Sequence, residues 1–477
     1  MKRSFLFLLI LLPAMLRAQT GYQIKVSFKP FKNQYIYLGH YFGKTYPIID
    51  SAKLNEKGEA VFQGPKKLQG GIYLIGYPNK TGFFEILVDK QQFFSVIADT
   101  ATIRSGVKFL NSSDNTQFTA YQQHMNVTGK QVAELQDQLK KATNKKDSTT
   151  ITDQLVKLNQ QIVDYRESLI KKDPKNILST LLITMREPIL TGRFKDPKNK
   201  QDSLDSYNFY KSHYWDGVYF WDARLAYTTL FEEKIDKYFE QLVVPHPDST
   251  IKELDKMLGP ASVSEEMTRF LLVKFVNRYL NQKYMWEDKV FIHLFEKYFS
   301  NKTYSWLNDK GQKTITDRAY SLMMNVLGTS AADIELPDMA GKPTTLYEIK
   351  SDYTLVVFWD PTCGHCKEVL PKLDSFYTAK WKALGVKIFA VGKETDGSKK
   401  DWLDFINEHK LQEWTHVYYS KADDKARIDA NIPGYGQLYD IQTFPTLYLL
   451  DNEKRIVAKK LTHDQMDDIL TLKTKKQ

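Results

Sequence analysis

Both cysteines of this 477-residue chain lie in a single tetrapeptide, Cys363-Gly-His-Cys366. A wholly apolar run, residues 355–358, precedes the tetrapeptide, and apolar residues at helical spacing follow it from Val369 onward. The first pattern predicts a buried strand and the second predicts a helix. The sequence therefore predicts a strand, a short turn that carries a Cys-x-x-Cys pair, and a helix.

That order places the first thiol at a helix N-terminus, where unpaired backbone N–H groups and the helix dipole favour a thiolate. Cys363 is therefore the predicted nucleophile, which attacks a disulfide to give a mixed disulfide. Cys366 lies one helical turn further on and is predicted to resolve that intermediate, so the two form a redox-active disulfide. Half of a zinc site is the competing interpretation, but it needs a second ligand pair. The chain has no other cysteine and no histidine pair at ligand spacing, so we expect no metal.

The N-terminus has the pattern of a secretory leader. Lys2 and Arg3 precede an apolar run over 5–12, and Pro13, Ala14 and the Leu-Arg-Ala stretch of 16–18 follow. The run is shorter than the roughly 20 residues that cross a bilayer, so we predict a signal peptide over 1–18 and a periplasmic mature protein. An uncleaved anchor is the alternative.

The charge balance does not indicate nucleic-acid binding. The formal net charge is +10, and it falls to near +7 once Lys2, Arg3 and Arg17 leave with the leader. The lysines are scattered among acidic residues and no arginine cluster or nucleic-acid module is present, so no nucleic-acid partner is expected.

Residues 19–112 alternate between apolar and polar side chains, as in 22–28. Turn signals at 55–58, 70–71 and 78–82 separate further predicted strands at 60–62, 72–75, 83–88 and 93–97. Short strands at this spacing predict an all-β domain, either an antiparallel sandwich or a small barrel. It contains no catalytic constellation, which favours a binding or assembly role.

Residues 113–329 are predicted to form a central all-α region. Apolar residues step by three and four through 132–142 and again through 151–169, with a polar turn at 144–148. This pattern predicts an antiparallel helical hairpin. Its apolar seams either close on each other or form a homodimer interface.

Two other features belong to this region. An aromatic stretch over 214–221 is predicted to lie in a helix and to be core, with a ligand groove as the alternative. Ser262 followed by Glu265 has the pattern of a capping box and predicts the start of a helix.

The helical period stops near 329–333, and strands then alternate with helices, which predicts an α/β domain over 330–477 with a mixed sheet covered on both faces. The predicted strands are 353–359, 386–391, 415–419, 444–450 and 455–458, and the predicted helices follow Cys363, cover 398–409, lie near 424–430 and begin near 463.

Several motifs of this domain resemble those of the thioredoxin fold. They are the stretch 358–366, Phe-Trp-Asp-Pro-Thr-Cys-Gly-His-Cys; Pro371, eight positions after the first cysteine; and the Thr-Phe-Pro-Thr of 443–446, which leads into a final apolar run. More narrowly, residues 333–477 resemble the extracytoplasmic TlpA/ResA-like thiol-disulfide oxidoreductases. The order of a β domain, helices and a thioredoxin fold resembles multidomain exported proteins of Bacteroidetes.

The resemblance implies that Pro445 is cis and lies against the Cys-x-x-Cys turn, where Phe444 offers backbone groups to a bound peptide. It also implies that Trp359, Pro361 and Thr443 contribute to substrate binding. No cofactor is implied.

Three further expectations concern protons and charge near the thiols. An imidazolium at His365, as in the disulfide isomerases that share this dipeptide, would stabilise the Cys363 thiolate; a histidine facing solvent with little effect is the alternative. The buried acids of the resembling families are missing, since valines stand at 357 and 369. The candidates to replace them are Glu368, Asp360, Glu394 or water.

The sequence thus predicts an exported enzyme that reduces or isomerises disulfides in proteins and has a membrane electron donor or other redox partner. A net oxidant that introduces disulfides is one alternative. A non-enzymatic envelope-assembly protein, whose thioredoxin domain is a redox-gated dock, is the other.

Overall fold

The computed structural model describes residues 20–103 and 106–474. The predicted signal peptide over 1–18 lies outside these residues. The described chain divides into two compact units. One comprises the chain up to Val243 together with Lys256–Leu271, and the other comprises Val244–Asp255 together with the chain from Leu272.

The first unit begins with eight strands. They are β1 Tyr22–Lys29, β2 Tyr35–His40, β3 Ile48–Lys53, β4 Glu59–Gly64, β5 Gly71–Gly76, β6 Phe83–Val88, β7 Phe93–Asp99 and β8 Lys108–Leu110. Two four-stranded sheets result, with orders β4-β1-β7-β8 and β3-β2-β5-β6. The rings of Phe28 and Phe84, one from each sheet, pack edge to face with their centroids 5.6 Å apart. The predicted all-β sandwich is confirmed, although its purely antiparallel form is wrong, because β1 and β7 pair in parallel.

Nine helices follow in the described chain before the next strand. They are α1 Ser113–Lys141, α2 Lys145–Lys172, α3 Ile177–Thr184, α4 Lys200–His213, α5 Thr229–Gln241, α6 Pro247–Ala261, α7 Glu265–Leu280, α8 Glu287–Leu294 and α9 Asp309–Met323. A single π-helical turn, Phe295–Phe299, continues α8. The predicted central all-α region is therefore present.

The long helices α1 and α2 form the predicted hairpin, joined by a turn of three residues. The seam residues Val132, Leu139, Leu155 and Ile162 are half-buried. The seams therefore close on each other within one chain. A homodimer through this hairpin stays a prediction.

Two local expectations are wrong. Ser264, not Ser262, begins α7, since its Oγ accepts a hydrogen bond from the backbone N–H of Met267 at 3.3 Å. The aromatic stretch 214–221 is not helical but lies in turns after α4. Most of its rings are buried as predicted, whereas Tyr219 and Trp221 are half exposed and stack on each other at 4.8 Å.

The second unit ends with the α/β domain. Its elements are β9 Glu335–Pro337, β10 Pro343–Thr345, β11 Tyr353–Trp359, α10 Gly364–Phe376, β12 Val386–Lys393, α11 Lys399–Glu408, β13 Thr415–Tyr419, α12 Lys421–Asp429, α13 Tyr435–Leu438, β14 Thr446–Asp451, β15 Ile456–Lys459 and α14 His463–Thr474. Five strands form one sheet of order β13-β12-β11-β14-β15. The sheet is mixed, as predicted, because β11 pairs in parallel with β12 and antiparallel with β14.

The central strand β11 is buried along its whole length. Its side chains alternate between two cores: Leu355, Val357 and Trp359 face one, and Val356 and Phe358 face the other. Because both faces are covered, the strand reads as a continuous apolar run instead of an alternating one.

The helices from 272 onward belong to the same unit as the α/β domain, so the predicted helical domain 113–329 is divided between the two units. A buried ion pair connects these helices to the sheet: Lys459 of β15 contacts Asp288 of α8, and its Nζ also donates to the Asn325 carbonyl at 2.6 Å. Both ionic side chains are almost fully buried.

Candidate active site

The Cys-x-x-Cys pair lies where the central strand passes into a helix. After β11 a turn of three residues leads to Cys363, which is the N-cap residue of α10. The turn is held by Asp360, whose backbone carbonyl accepts from the Cys363 N–H at 3.2 Å and whose carboxylate accepts from the N–H and hydroxyl of Thr362, both at 2.7 Å. The predicted order of strand, turn and helix is therefore present, with the first thiol at a helix N-terminus.

The two thiols have different environments. Both are free, but Cys363 is only half-buried, whereas Cys366 is fully buried in the core that contains Trp359. Burial raises the pKa of the Cys366 thiol well above its usual value, although a hydrogen bond with the Asp360 backbone lowers it, and Cys363 and the Asp360 charge raise it further. Cys363 can therefore meet a substrate, while Cys366 is held as a protonated thiol behind it.

The segment before β14 faces the first thiol. The Phe444–Pro445 peptide bond is cis, as predicted. The Sγ of Cys363 donates to the carbonyl oxygen of Phe444 at 3.6 Å. Thr443 is exposed, and Phe444 and Pro445 are half-buried. The Phe444 carbonyl thus lies next to the reactive sulfur, in a segment whose neighbours Thr443 and Pro445 are at least partly exposed.

The two other predicted substrate-binding residues are not at the surface. Trp359 is fully buried and packs against Phe405, with ring centroids 5.0 Å apart. Pro361 is buried as well. Both side chains are buried in this structure, so their contact with substrate stays a prediction.

A groove of about 370 Å³ runs along α10 beside the pair. His365 is exposed and lines this groove, together with Thr443 and Pro445. Its effect on the Cys363 thiolate stays a prediction. Among the described residues, 20–103 and 106–474, no cluster of three side chains could hold a metal ion.

The three candidate acids differ in position. Asp360 is buried, and its second carboxylate oxygen accepts from the hydroxyl of Thr395. Glu368 is exposed, and the Glu394 carboxylate accepts from the Lys421 N–H at 3.0 Å. Asp360 is the acid whose charge acts on the Cys366 thiol.

The site also contains a cluster of charged side chains that the sequence did not indicate. Asp440 and Lys460 both line the groove, and Asp440 also pairs with Arg318 of α9. Asp440 and Arg318 lie 122 positions apart in the chain, so no local pattern connects them.

Comparisons with known proteins agree with this geometry. A family model described as thioredoxin-like matches residues 351–456, and a domain of unknown function (DUF5106) matches residues 194–324. A thiol-disulfide oxidoreductase ResA of Bacillus thuringiensis is 27% identical over 148 residues, which are 30% of this chain and 76% of that protein.

Among solved structures, a thioredoxin-like protein from Bacteroides caccae is 20% identical, with a TM-score of 0.45, over 60% of this chain and 98% of that one. A domain of a possible thiol-disulfide isomerase from Cytophaga hutchinsonii is 33% identical, with a TM-score of 0.27, over 31% of this chain and 94% of that one.

The described part of the chain contains no helix with the length and apolarity that a membrane crossing requires. The strand, turn and helix around Cys363, the cis proline opposite and the matching family model lead to one assignment. The C-terminal part of this chain is a thioredoxin-like domain that is similar to thiol-disulfide oxidoreductases such as ResA, and the chain is a multidomain enzyme of the thioredoxin-like kind.

Proposed function

We propose that this protein is an exported enzyme that reduces or isomerises disulfides of protein substrates through its Cys-Gly-His-Cys dithiol. One observation carries the proposal: the half-exposed Cys363 thiol at the start of α10 lies 3.6 Å from the Phe444 carbonyl, while Cys366 is buried directly behind it. This arrangement gives one thiol for attack and a second for release.

The reaction balances as two thiol-disulfide exchanges. The Cys363 thiolate attacks a substrate disulfide, which forms a mixed disulfide and releases one substrate thiolate. Cys366 then loses its proton and attacks the Cys363 sulfur, which releases the second substrate thiol. The substrate gains two electrons, and the enzyme is left with a Cys363–Cys366 disulfide.

Asp360 is the proposed acceptor of the Cys366 proton, since it is buried in the turn and its charge acts on that thiol. His365 is proposed to stabilise the Cys363 thiolate from the exposed side of the same turn.

Repeated turnover requires a partner that returns two electrons to the disulfide. For an exported enzyme that partner is proposed to be a dithiol donor in the membrane. Disulfide-containing proteins are the proposed substrates, since a groove beside an exposed thiol admits an extended chain.

Export is proposed on the leader pattern of residues 1–18. The N-terminal residue of protein recovered from the periplasm tests it. Gln19 at the N-terminus supports cleavage after Ala18, whereas Met1 on membrane-bound protein supports an anchor.

The function is tested by insulin reduction and by the equilibrium reduction potential of the pair against glutathione, with Cys363→Ser as the blank. We expect Cys363→Ser to abolish insulin reduction and Cys366→Ser to accumulate a mixed disulfide, since only the second variant keeps the attacking thiol. A potential of about −250 mV or lower supports a reductant, and one near about −180 mV or higher supports isomerase or oxidant work. A wild-type dithiol that fails to exchange with insulin at all would contradict the enzyme proposal and favour a redox-gated dock.

A further inference from the structure

One wall of the groove beside the thiols contains a buried carboxylate. The Asp440 side chain is completely shielded from solvent. It accepts hydrogen bonds from Arg318 and Lys460, from the Gln442 side chain at 2.9 Å and from the Ser321 hydroxyl at 3.3 Å. Two of these donors, Arg318 and Ser321, come from α9, outside the α/β domain but within the same compact unit.

The guanidinium of Arg318 is held from three sides. Its Nε donates to the Leu280 carbonyl at 3.0 Å, one terminal nitrogen donates to Gln282 and the other donates to Asp440. Its side chain is only 16% exposed. Because a guanidinium is planar and its donors are fixed in direction, these contacts determine where the carboxylate of Asp440 lies.

Asp440 in turn fixes the backbone that leads to the cis proline. It follows α13 with a left-handed φ of 45°, and Tyr439 beside it packs its ring against Phe358 of the central strand at 4.8 Å. Five positions further on is Pro445, which lines the same groove as Asp440 and His365. The segment 440–445 is therefore held at its start by charge and lies at its end beside the reactive thiol.

The charges on this cluster are stable at neutral pH. Burial by itself raises the pKa of the Asp440 carboxyl, but the positive charges of Lys460 and Arg318 outweigh burial and hold that pKa below its usual value. The carboxylate is therefore ionised whenever both cations are present. Removal of Arg318 would leave Lys460, which is one-third exposed, as its remaining ionic partner.

We propose that Arg318 is a positioning residue for substrate binding: through Asp440 it holds the segment 440–445 as the substrate-facing wall of the groove. This rests on the proposed function, since it concerns how a disulfide-bearing chain is held against Cys363. It makes a helix of the preceding helical region part of the substrate-binding apparatus of the thioredoxin-like domain.

The test uses the full-length protein in its reduced form and two disulfides of different size. Insulin needs the groove, whereas 5,5′-dithiobis(2-nitrobenzoate) needs only the exposed Cys363 thiol. Single-turnover rates against insulin concentration give a half-saturating concentration and a limiting rate for the wild type, Arg318→Gln, Asp440→Asn and Lys313→Gln. Lys313 is the matched control, since it lies on α9 in an exposed pair with Asp317.

We expect Arg318→Gln and Asp440→Asn to raise the half-saturating insulin concentration about fivefold or more, with the limiting rate and the rate with the small disulfide within about twofold of wild type. Lys313→Gln should match the wild type in all three quantities. Should Arg318→Gln fail to fold, the ratio of the half-saturating insulin concentrations for Asp440→Asn and wild type decides, since this substitution keeps the side-chain shape but removes the charge and one of the two acceptor oxygens.

An unchanged half-saturating concentration in the folded variants would overturn the positioning role and leave the proposed function intact. A parallel fall in the insulin rate and the small-disulfide rate would overturn it as well, because the defect would then lie at the thiol. Failure of the wild type to reduce insulin would instead overturn the proposed function, and the positioning role with it.

Discussion

At the scale of single residues, the two cysteines have very different environments although only two residues separate them. Cys363 is the N-cap residue of α10 and is partly open to solvent, while Cys366 is fully enclosed. Since burial raises the pKa of the Cys366 thiol, this group stays protonated through neutral pH. Alkylating reagents react readily only with a thiolate, so the burial of Cys366 and its protonation both slow its alkylation.

We therefore expect iodoacetamide at pH 7 to modify Cys363 at least about 100-fold faster than Cys366 in the reduced protein. Mass spectrometry of peptides from a time course measures the two rates. Because the raised pKa places the titration of Cys366 above the neutral range, its rate should rise with pH up to pH 9 without a plateau. In denaturant the two rates should converge, and equal rates in the folded protein would contradict the assignment of roles.

At the scale of elements, β13 carries a buried base that makes stability depend on pH. His416 is 2% exposed, stacks on Trp414 and contacts the Leu411 carbonyl at 2.8 Å through Nε2. Burial lowers the pKa of His416 to about 4 from a usual value of 6.5. The folded state therefore prefers the neutral ring, while the unfolded state takes up a proton below pH 6.5.

Because the pKa of His416 is lower in the folded state, its contribution to stability is complete above pH 6.5. As the pH falls towards 4, the free energy of unfolding decreases by up to about 3 kcal/mol. Urea unfolding at several pH values measures the loss. His416→Gln keeps an N–H donor without titrating in this range, so its stability should fall less between pH 6.5 and 4 than that of the wild type. The exposed His365→Gln is the control. Identical pH profiles for His416→Gln and wild type would contradict burial of a neutral ring.

The elements also show what a sequence can predict. The bounds of β11 and β13 were predicted correctly, because β11 is a mainly apolar run between two aspartates and β13 is a short run rich in β-branched and aromatic residues. The strand β3 was missed, since most of its residues are exposed and leave no alternating pattern. Trp359 was assigned to substrate binding from its place in a motif, and its period-two register with Leu355 and Val357 also indicates a core position. The contact between Arg318 and Asp440 had no local signal at all.

At the scale of the whole molecule, the described chain is organised as two compact units, and the helices after 272 belong with the thioredoxin-like domain. The buried Lys459–Asp288 pair is one physical basis for this. Burial disfavours both charges, raising the pKa of Asp288 and lowering that of Lys459. Each of the two charges is therefore costly to bury without its partner.

We expect Lys459→Met to lower the free energy of unfolding by about 3 to 5 kcal/mol, because it leaves the Asp288 carboxylate buried without its partner. Urea denaturation of the full-length protein measures this. Lys425→Met, which breaks an exposed pair with Asp429, should cost less than about 1 kcal/mol. Equal effects of the two substitutions would show that the buried pair does not hold these helices to the sheet.

The hairpin of α1 and α2 has a practical consequence. At about 1.5 Å per residue each helix is on the order of 40 Å long, yet in α2 only Ile170, near the end, is fully buried. In α1 the fully buried residues lie no further along than Thr128. The tip near Ala142 is thus remote from the hydrophobic core of its unit, and a fluorophore, an affinity tag or a surface tether attached there would leave the folded protein undisturbed.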